Sequence, residues 1–151
     1  MECSTIMECC GDRTYGGAVR ERPVPHEGGP VSETETYYEF GTAADRWDRA
    51  QMFFEAKEYM TAARILGGLV EEVPEQVAPR LLLARSYYHS ARLGKAEKEL
   101  RVVLELDPVE SYARLMLGRT LERQGRAADA APHLRMAAAL NGEFGTGTAG
   151  G

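Results

Sequence analysis

VAPRLLLARSYYHSARLGKAEKELRVVLELDP, residues Val77 to Pro108, decides the fold. It holds two apolar segments of helical period. Leu83, Ala84, Tyr87 and Tyr88 mark the first, and Ala96, Leu100, Val103 and Leu104 the second. Apolar residues three and four apart fall on one face of a helix, which that face must bury. Ala91-Arg92-Leu93-Gly94 breaks the pattern between them. Asp107-Pro108 ends the second segment, because proline cannot continue a helix and disfavours helix in the residue before it. The stretch predicts a helix-turn-helix hairpin.

The hairpin has a copy on each side. A step of 34 residues forward takes Leu83-Ala84 to Leu117-Gly118, Tyr87 to Leu121, Ala96 to Ala130, Leu100 to Leu134, Val103 to Ala137 and Leu106 to Leu140. The same step back takes Ala84 to Ala50, Tyr87 to Phe53, Ala96 to Ala62, Leu100 to Leu66 and Pro108 to Pro74. No gap is needed. Small residues recur in mid first helix (Ala50, Ala84, Gly118) and early in the second (Ala62, Ala96, Ala130), so the two helices can approach closely. Phe53, Tyr87, Leu121, Leu66, Leu100 and Leu134 fill the space around them. One hairpin cannot bury its own apolar faces, so the copies are expected to stack.

This period and unit resemble the tetratricopeptide repeat, whose pattern runs W-x2-L-G-x2-Y, A-x3-F, P. The match is carried by Leu117-Gly118-x2-Leu121 with Ala130-x3-Leu134, and by Leu83-Ala84-x2-Tyr87 with Ala96-x3-Leu100 and Pro108. It covers about two thirds of the chain, residues 43–142. The resemblance implies an all-α, right-handed superhelix, a solenoid of three hairpins (43–76, 77–110 and 111–142). It also implies that the first helices line a concave groove. From the first repeat the groove would take Trp47, Gln51, Phe54 and Glu55. The second would supply Leu81, Leu82, Arg85, Tyr88 and His89, and the third Tyr112, Leu115, Met116, Arg119, Glu122 and Arg123. One subset of the family reads C-terminal carboxylates with Lys, Asn and Arg. The matching positions here hold Trp47, Gln51, Leu82, Tyr112 and Met116, so that activity does not carry over.

The flanks differ from the repeats. Residues 1–32 are rich in Gly and Pro and poor in large apolar side chains, which predicts a disordered arm. Residues 1–30 are so unlike the rest that the natural start is expected at Val31, since a GTG codon, which reads as Val, can initiate translation in bacteria. Residues 33–42 form an acidic, aromatic strap expected to lie against the first helix or, as a self-ligand, in the groove. Residues 143–151 read as a flexible tail. In the first repeat Arg46 and Arg49 replace apolar residues, which suits the polar outer face of a terminal repeat. Gly67-Gly68 suggests close helix contact beside Leu69. Pro132 is expected to distort the last helix.

Composition narrows the function. With 44% hydrophobic and 27% charged residues, the chain suits a soluble globular protein. A net charge of −5 argues against a general nucleic-acid binder. No apolar run approaches the ~20 residues that span a bilayer, and no secretory signal is visible. All three cysteines fall at Cys3, Cys9 and Cys10, so the repeats carry no disulfide, and a cytoplasmic address follows. Lysine occurs only at Lys57, Lys95 and Lys98, a bias towards Arg that suggests a GC-rich bacterial gene.

No catalytic or metal motif is present. Cys3, Cys9 and Cys10 with His26 match no usual zinc spacing. His26, His89 and His133 are scattered, and there is no HExxH, CxxC, Walker loop or nucleophile elbow. The chain therefore reads as a non-enzyme without cofactor. Its expected role is protein–protein interaction, as an adaptor or assembly scaffold. Trp47, Gln51, Phe54, Arg85, Tyr88, His89, Tyr112, Arg119 and Arg123 would form a basic, aromatic-lined strip for an acidic or aromatic peptide. Two other roles suit the same fold. One is a homo-oligomer joined through the end that carries Ala131, Leu134, Met136 and Ala138. The other is an accessory subunit of an enzyme complex.

Overall fold

The computed structural model describes residues 37–142. The expected arm, the alternative start at Val31, the first part of the strap and the tail with Phe144 lie outside the described residues. Residues 37–39 are helical, and from residue 43 on the chain forms α1 Ala43–Glu55, α2 Tyr59–Glu72, α3 Val77–His89, α4 Leu93–Leu106, α5 Ser111–Arg123 and α6 Ala127–Leu140. There is no strand among the described residues. Each helix packs on the next, and α3 also touches α5, so three hairpins stack as a solenoid.

The small residues stand where the helices meet. Ala50, Ala84, Ala62, Ala96 and Ala130 are fully buried, as are Leu66, Leu100, Leu117 and Leu121. At Gly118 an added Cβ would lie 2.5 Å from Leu134 Cδ2, so α5 and α6 are close there. Leu134 occupies the place of Leu66 and Leu100 yet is only half-buried. Among the described residues no further hairpin covers it.

The turn inside each hairpin is the same. In the first, the N–H of Glu58 donates to Phe53 O at 2.8 Å and that of Lys57 to Phe54 O at 3.0 Å. Arg92 and Ala91, then Arg126 and Gly125, repeat both bonds one period on. This double bond is the Schellman stop, which needs one residue in the left-handed region. That residue is Lys57 (φ 66°), Ala91 (φ 61°) or Gly125 (φ 81°). Only the third is glycine, so Lys57 and Ala91 hold a conformation that a Cβ disfavours by roughly 1–2 kcal/mol. Conversely, a Cβ added at Gly67 or Gly68 in α2 meets nothing within 4 Å, so the expected close contact is not there. Glycine is thus absent from two of the three turns that favour it and present in a helix that does not. Ala91→Gly should therefore stabilise the fold by up to ~1 kcal/mol after glycine's greater unfolded-state entropy is deducted. Gly68→Ala should stabilise by about as much through helix propensity. Urea midpoints at constant m-value check both.

The first repeat departs from the sequence reading. Arg46 does not face solvent: it is 8% exposed and donates from Nη2 to Glu72 on α2. That carboxylate raises the Arg46 pKa further, and Arg46 in turn holds Glu72 below the usual carboxylate range. Arg49 Nη1 donates to Phe40 O at 2.9 Å and lies near Tyr38 O, with its guanidinium 4.9 Å from the Tyr37 ring centre. Tyr38 meets Phe53 edge-on, centroids 6.0 Å apart, and Arg64 lies over its ring. Residues 37–40 thus lie against the first hairpin, on Arg49, Phe53 and Arg64 rather than among the groove residues. Thr42 and Asp45 then start α1 with a reciprocal capping box. In the third repeat α6 runs uninterrupted through Pro132.

Candidate functional site

α1, α3 and α5 bring their exposed stripes to one seam. Its centre is Arg85 of α3. Its guanidinium carbon lies 4.7 Å from the centre of the Phe54 ring on α1 and 5.6 Å from that of Tyr112 on α5. One side chain thereby links all three repeats. A cation over an aromatic face is favoured by the ring quadrupole. Such stacking uses the face of the guanidinium and not its edge. Arg85 Nε is buried, and among the described residues it has no hydrogen-bond partner. The Nε atoms of Arg46 and Arg80 are likewise unpartnered, but those guanidinium groups are ion-paired to Glu72 and Glu99. Arg85 has no carboxylate partner among the described residues.

The other two arginines of the strip are occupied. Arg123 lies 4.6 Å from the Tyr88 ring centre, and its Nη1 donates to Tyr88 O at 3.0 Å. Arg119 pairs with Glu122 at 2.9 Å, one turn along α5 with both side chains exposed. Of the strip's arginines, Arg119 is thus neutralised locally and Arg85 is left to the groove. Leu82 and Met116 are core residues, 7% and 8% exposed, and Leu81 packs beneath the groove. Leu115 is half-buried.

His89 closes one end of the seam. Its ring stacks on Tyr59 at 4.8 Å and 18°, and meets Phe54 and Tyr88 edge-on. Tyr59 was not foreseen as a groove residue. It opens a second helix, at the place of Leu93 and Ala127, and only the fold turns it back onto the last turn of α3. Though one side of the ring is exposed, its partial desolvation, then the charges of Arg85 and Arg123, hold the His89 pKa below its ordinary 6.5. His133 on α6 is lowered as well, chiefly by burial. A histidine with a depressed folded pKa takes up its proton more readily when unfolded. Stability should therefore be full above pH ~7 and fall as pH drops through 6.5 towards the folded value. Urea titrations at pH 7.5 and 5.5 should show the loss, and His89→Gln should reduce it.

Two hollows lie along the α1–α3 seam. One, of about 160 Å³, is lined by Gln51, Phe54, Glu55, Leu82 and Arg85. The other, of about 370 Å³, carries no charged group in its lining: Ala43, Ala44 and Trp47 of α1, Leu69 and Val73 of α2, then Gln76, Ala78 and Pro79. Of the expected strip, Phe54, Arg85 and Tyr112 are joined, Tyr88 is joined to Arg123, and Gln51 stands beside Arg85. Trp47 stands apart in the apolar hollow. Among the described residues, no group of three His, Cys, Asp or Glu side chains could hold a metal ion. No described helix is long and apolar enough to cross a membrane.

The tetratricopeptide repeat family model matches residues 53–117. No curated protein matched the chain in sequence. Solved structures share the fold. A mutant of MamA superposes with a TM-score of 0.63 at 21% identity, covering 65% of this chain and 72% of the other. MamA of MSR-1 gives 0.61 at 20%, covering 68% and 57%. MamA from Desulfovibrio magneticus RS-1, residues 41 to the end, gives 0.61 at 22%, covering 67% and 55%. The chain thus spans little more than half the length of two of these three.

Proposed function

We propose that this chain, which carries tetratricopeptide repeats, is a protein-interaction module that receives a partner's extended segment in the groove of α1, α3 and α5. The observation that carries the reading is Arg85. A cation fixed between the aromatic rings of two neighbouring repeats, lining an open hollow and without a carboxylate partner among the described residues, can pair with an acceptor from outside. Its positive charge favours an acidic one. The aromatic rings around it supply apolar area at small entropic cost, since each is already held by its neighbours. The role that follows is that of an adaptor or assembly scaffold, acting in the cytoplasm of a bacterium, without catalysis of its own.

Position-specific photo-cross-linking in the source cell tests this. A photoreactive residue at Gln51 or Arg119 should trap the same partner, whereas one at Lys98 or Glu105, exposed on α4, should not. Equal trapping from α4, or trapping from α4 alone, sinks the groove reading.

A second reading rests on α6. Met136 and Leu140 are 47% and 40% exposed there, beside half-buried Leu134 and Ala138. An apolar face of this kind suits a second copy of the chain. Light scattering at rising concentration should show a mass increase that Met136→Lys abolishes. A monomer throughout excludes self-association.

A further inference from the structure

The two hollows of the seam are spaced for a ligand of particular backbone form. We infer that the groove reads a polyproline-II segment carrying a large apolar residue and an Asp or Glu three positions apart. The inference rests on the groove reading proposed above.

The spacing comes from the helices. α1 gives Trp47 to the apolar hollow and Phe54 to the Arg85 hollow; α3 gives Ala78 to the first and Arg85 to the second. Each pair is seven residues apart on one helix face. At 1.5 Å per residue the two hollows are offset by about 10.5 Å. The larger has room for one Leu, Met or Phe side chain and no charge to deter it. The smaller holds the Arg85 guanidinium, which has no carboxylate partner among the described residues and would pair with a carboxylate of the ligand, beside Glu55 in the same lining.

A ligand must bridge that distance with both side chains on one side. A β-strand rises about 3.4 Å per residue and turns the same face every second residue. Positions two apart reach only ~7 Å and positions four apart overshoot at ~13.5 Å, while positions three apart face opposite ways. Polyproline II has three residues per turn and rises about 3.1 Å, so positions three apart point the same way at ~9.3 Å. That is the extended form that fits. A helical ligand would match with seven-residue spacing, but it would have to lie deep in a seam whose Arg85 hollow is only about 160 Å³. Proline between the two anchors would favour the bound form in advance and lower the ordering cost.

Selection from a displayed library of random twelve-residue peptides on the full chain tests the inference. Counter-selection uses Arg85→Met, which keeps the packing between the rings, and Ala78→Phe, which fills the apolar hollow from an exposed rim position. Trp47 is the chain's one tryptophan, so its emission reports directly on the apolar hollow. Enriched peptides should carry the apolar and acidic residues three apart, in one order, with proline over-represented between them. Each variant should weaken them at least ~10-fold, and binding should shift Trp47 emission to the blue. A seven-residue spacing, or none, among peptides that still need Arg85 and Ala78 overturns the polyproline-II inference and leaves the groove reading standing. Peptides indifferent to both variants overturn both. No enrichment at all also overturns the inference.

Discussion

Leu100→Ala should cost about 2–5 kcal/mol, a large part of the 5–15 kcal/mol that holds a domain of this size. Leu100 lies on α4 with no exposed surface, among Ala84, Leu117, Leu121 and Ala130, where the second hairpin meets the third. Removing its branched end leaves a cavity that helices on both sides must line. In a solenoid each unit is held by its neighbours alone, so the damage should fall on the contact between hairpins two and three. Urea unfolding followed by circular dichroism should show a lower midpoint and a broadened transition as the third hairpin melts first. Leu134→Ala removes the same atoms at the equivalent place one repeat on, where the side chain is half-exposed. Its cost should be well below that of Leu100→Ala. Equal costs would mean that Leu134 is covered in solution and that the stack continues past α6.

The second large effect concerns binding. Arg85→Met should weaken a groove ligand by about 2–5 kcal/mol, the range for truncating one side of a desolvated charge pair, or roughly 30-fold and upward. The loss should appear mostly as faster dissociation. Arg119→Met should do little, because Arg119 is already paired with Glu122 at the surface and exposed pairs contribute at most ~1 kcal/mol. Raising salt should weaken wild-type binding and leave the residual binding of Arg85→Met nearly unchanged. Surface plasmon resonance with a selected peptide gives both rates. Similar losses for the two arginines would mean a diffuse basic strip in place of one reading residue.

The repeats were legible because their signal is periodic: a gapless step aligns Ala50 with Ala84 and Gly118, and Leu66 with Leu100 and Leu134. That register also put the expected groove residues on α1, α3 and α5. What each groove side chain would touch did not. Arg85 meets Phe54, 31 residues before it, and Tyr112, 27 after it, and such meetings depend on how neighbouring repeats stack. The sequence alone leaves Arg46 facing solvent, because its partner, Glu72, lies 26 residues away on another helix. The left-handed turns hid for a related reason. Only Gly125 carries the residue that marks them, while Lys57 and Ala91 reach the same backbone through tertiary packing that outweighs local preference. The mild surprise of α6 is similar: Pro132 sits inside a helix that the fold holds together around it.

The most direct test of the central claim is the Nε–H signal of Arg85 in a nitrogen-15 correlation spectrum. In the free protein that group is buried and unpartnered among the described residues. Titration with a selected acidic peptide should shift it as a carboxylate pairs with the guanidinium of which it is part. The Trp47 indole signal should move with it, and Arg101 Nε, already bonded to Glu97 on α4, should stay in place. A titration that saturates while the Arg85 signal does not move would contradict the account.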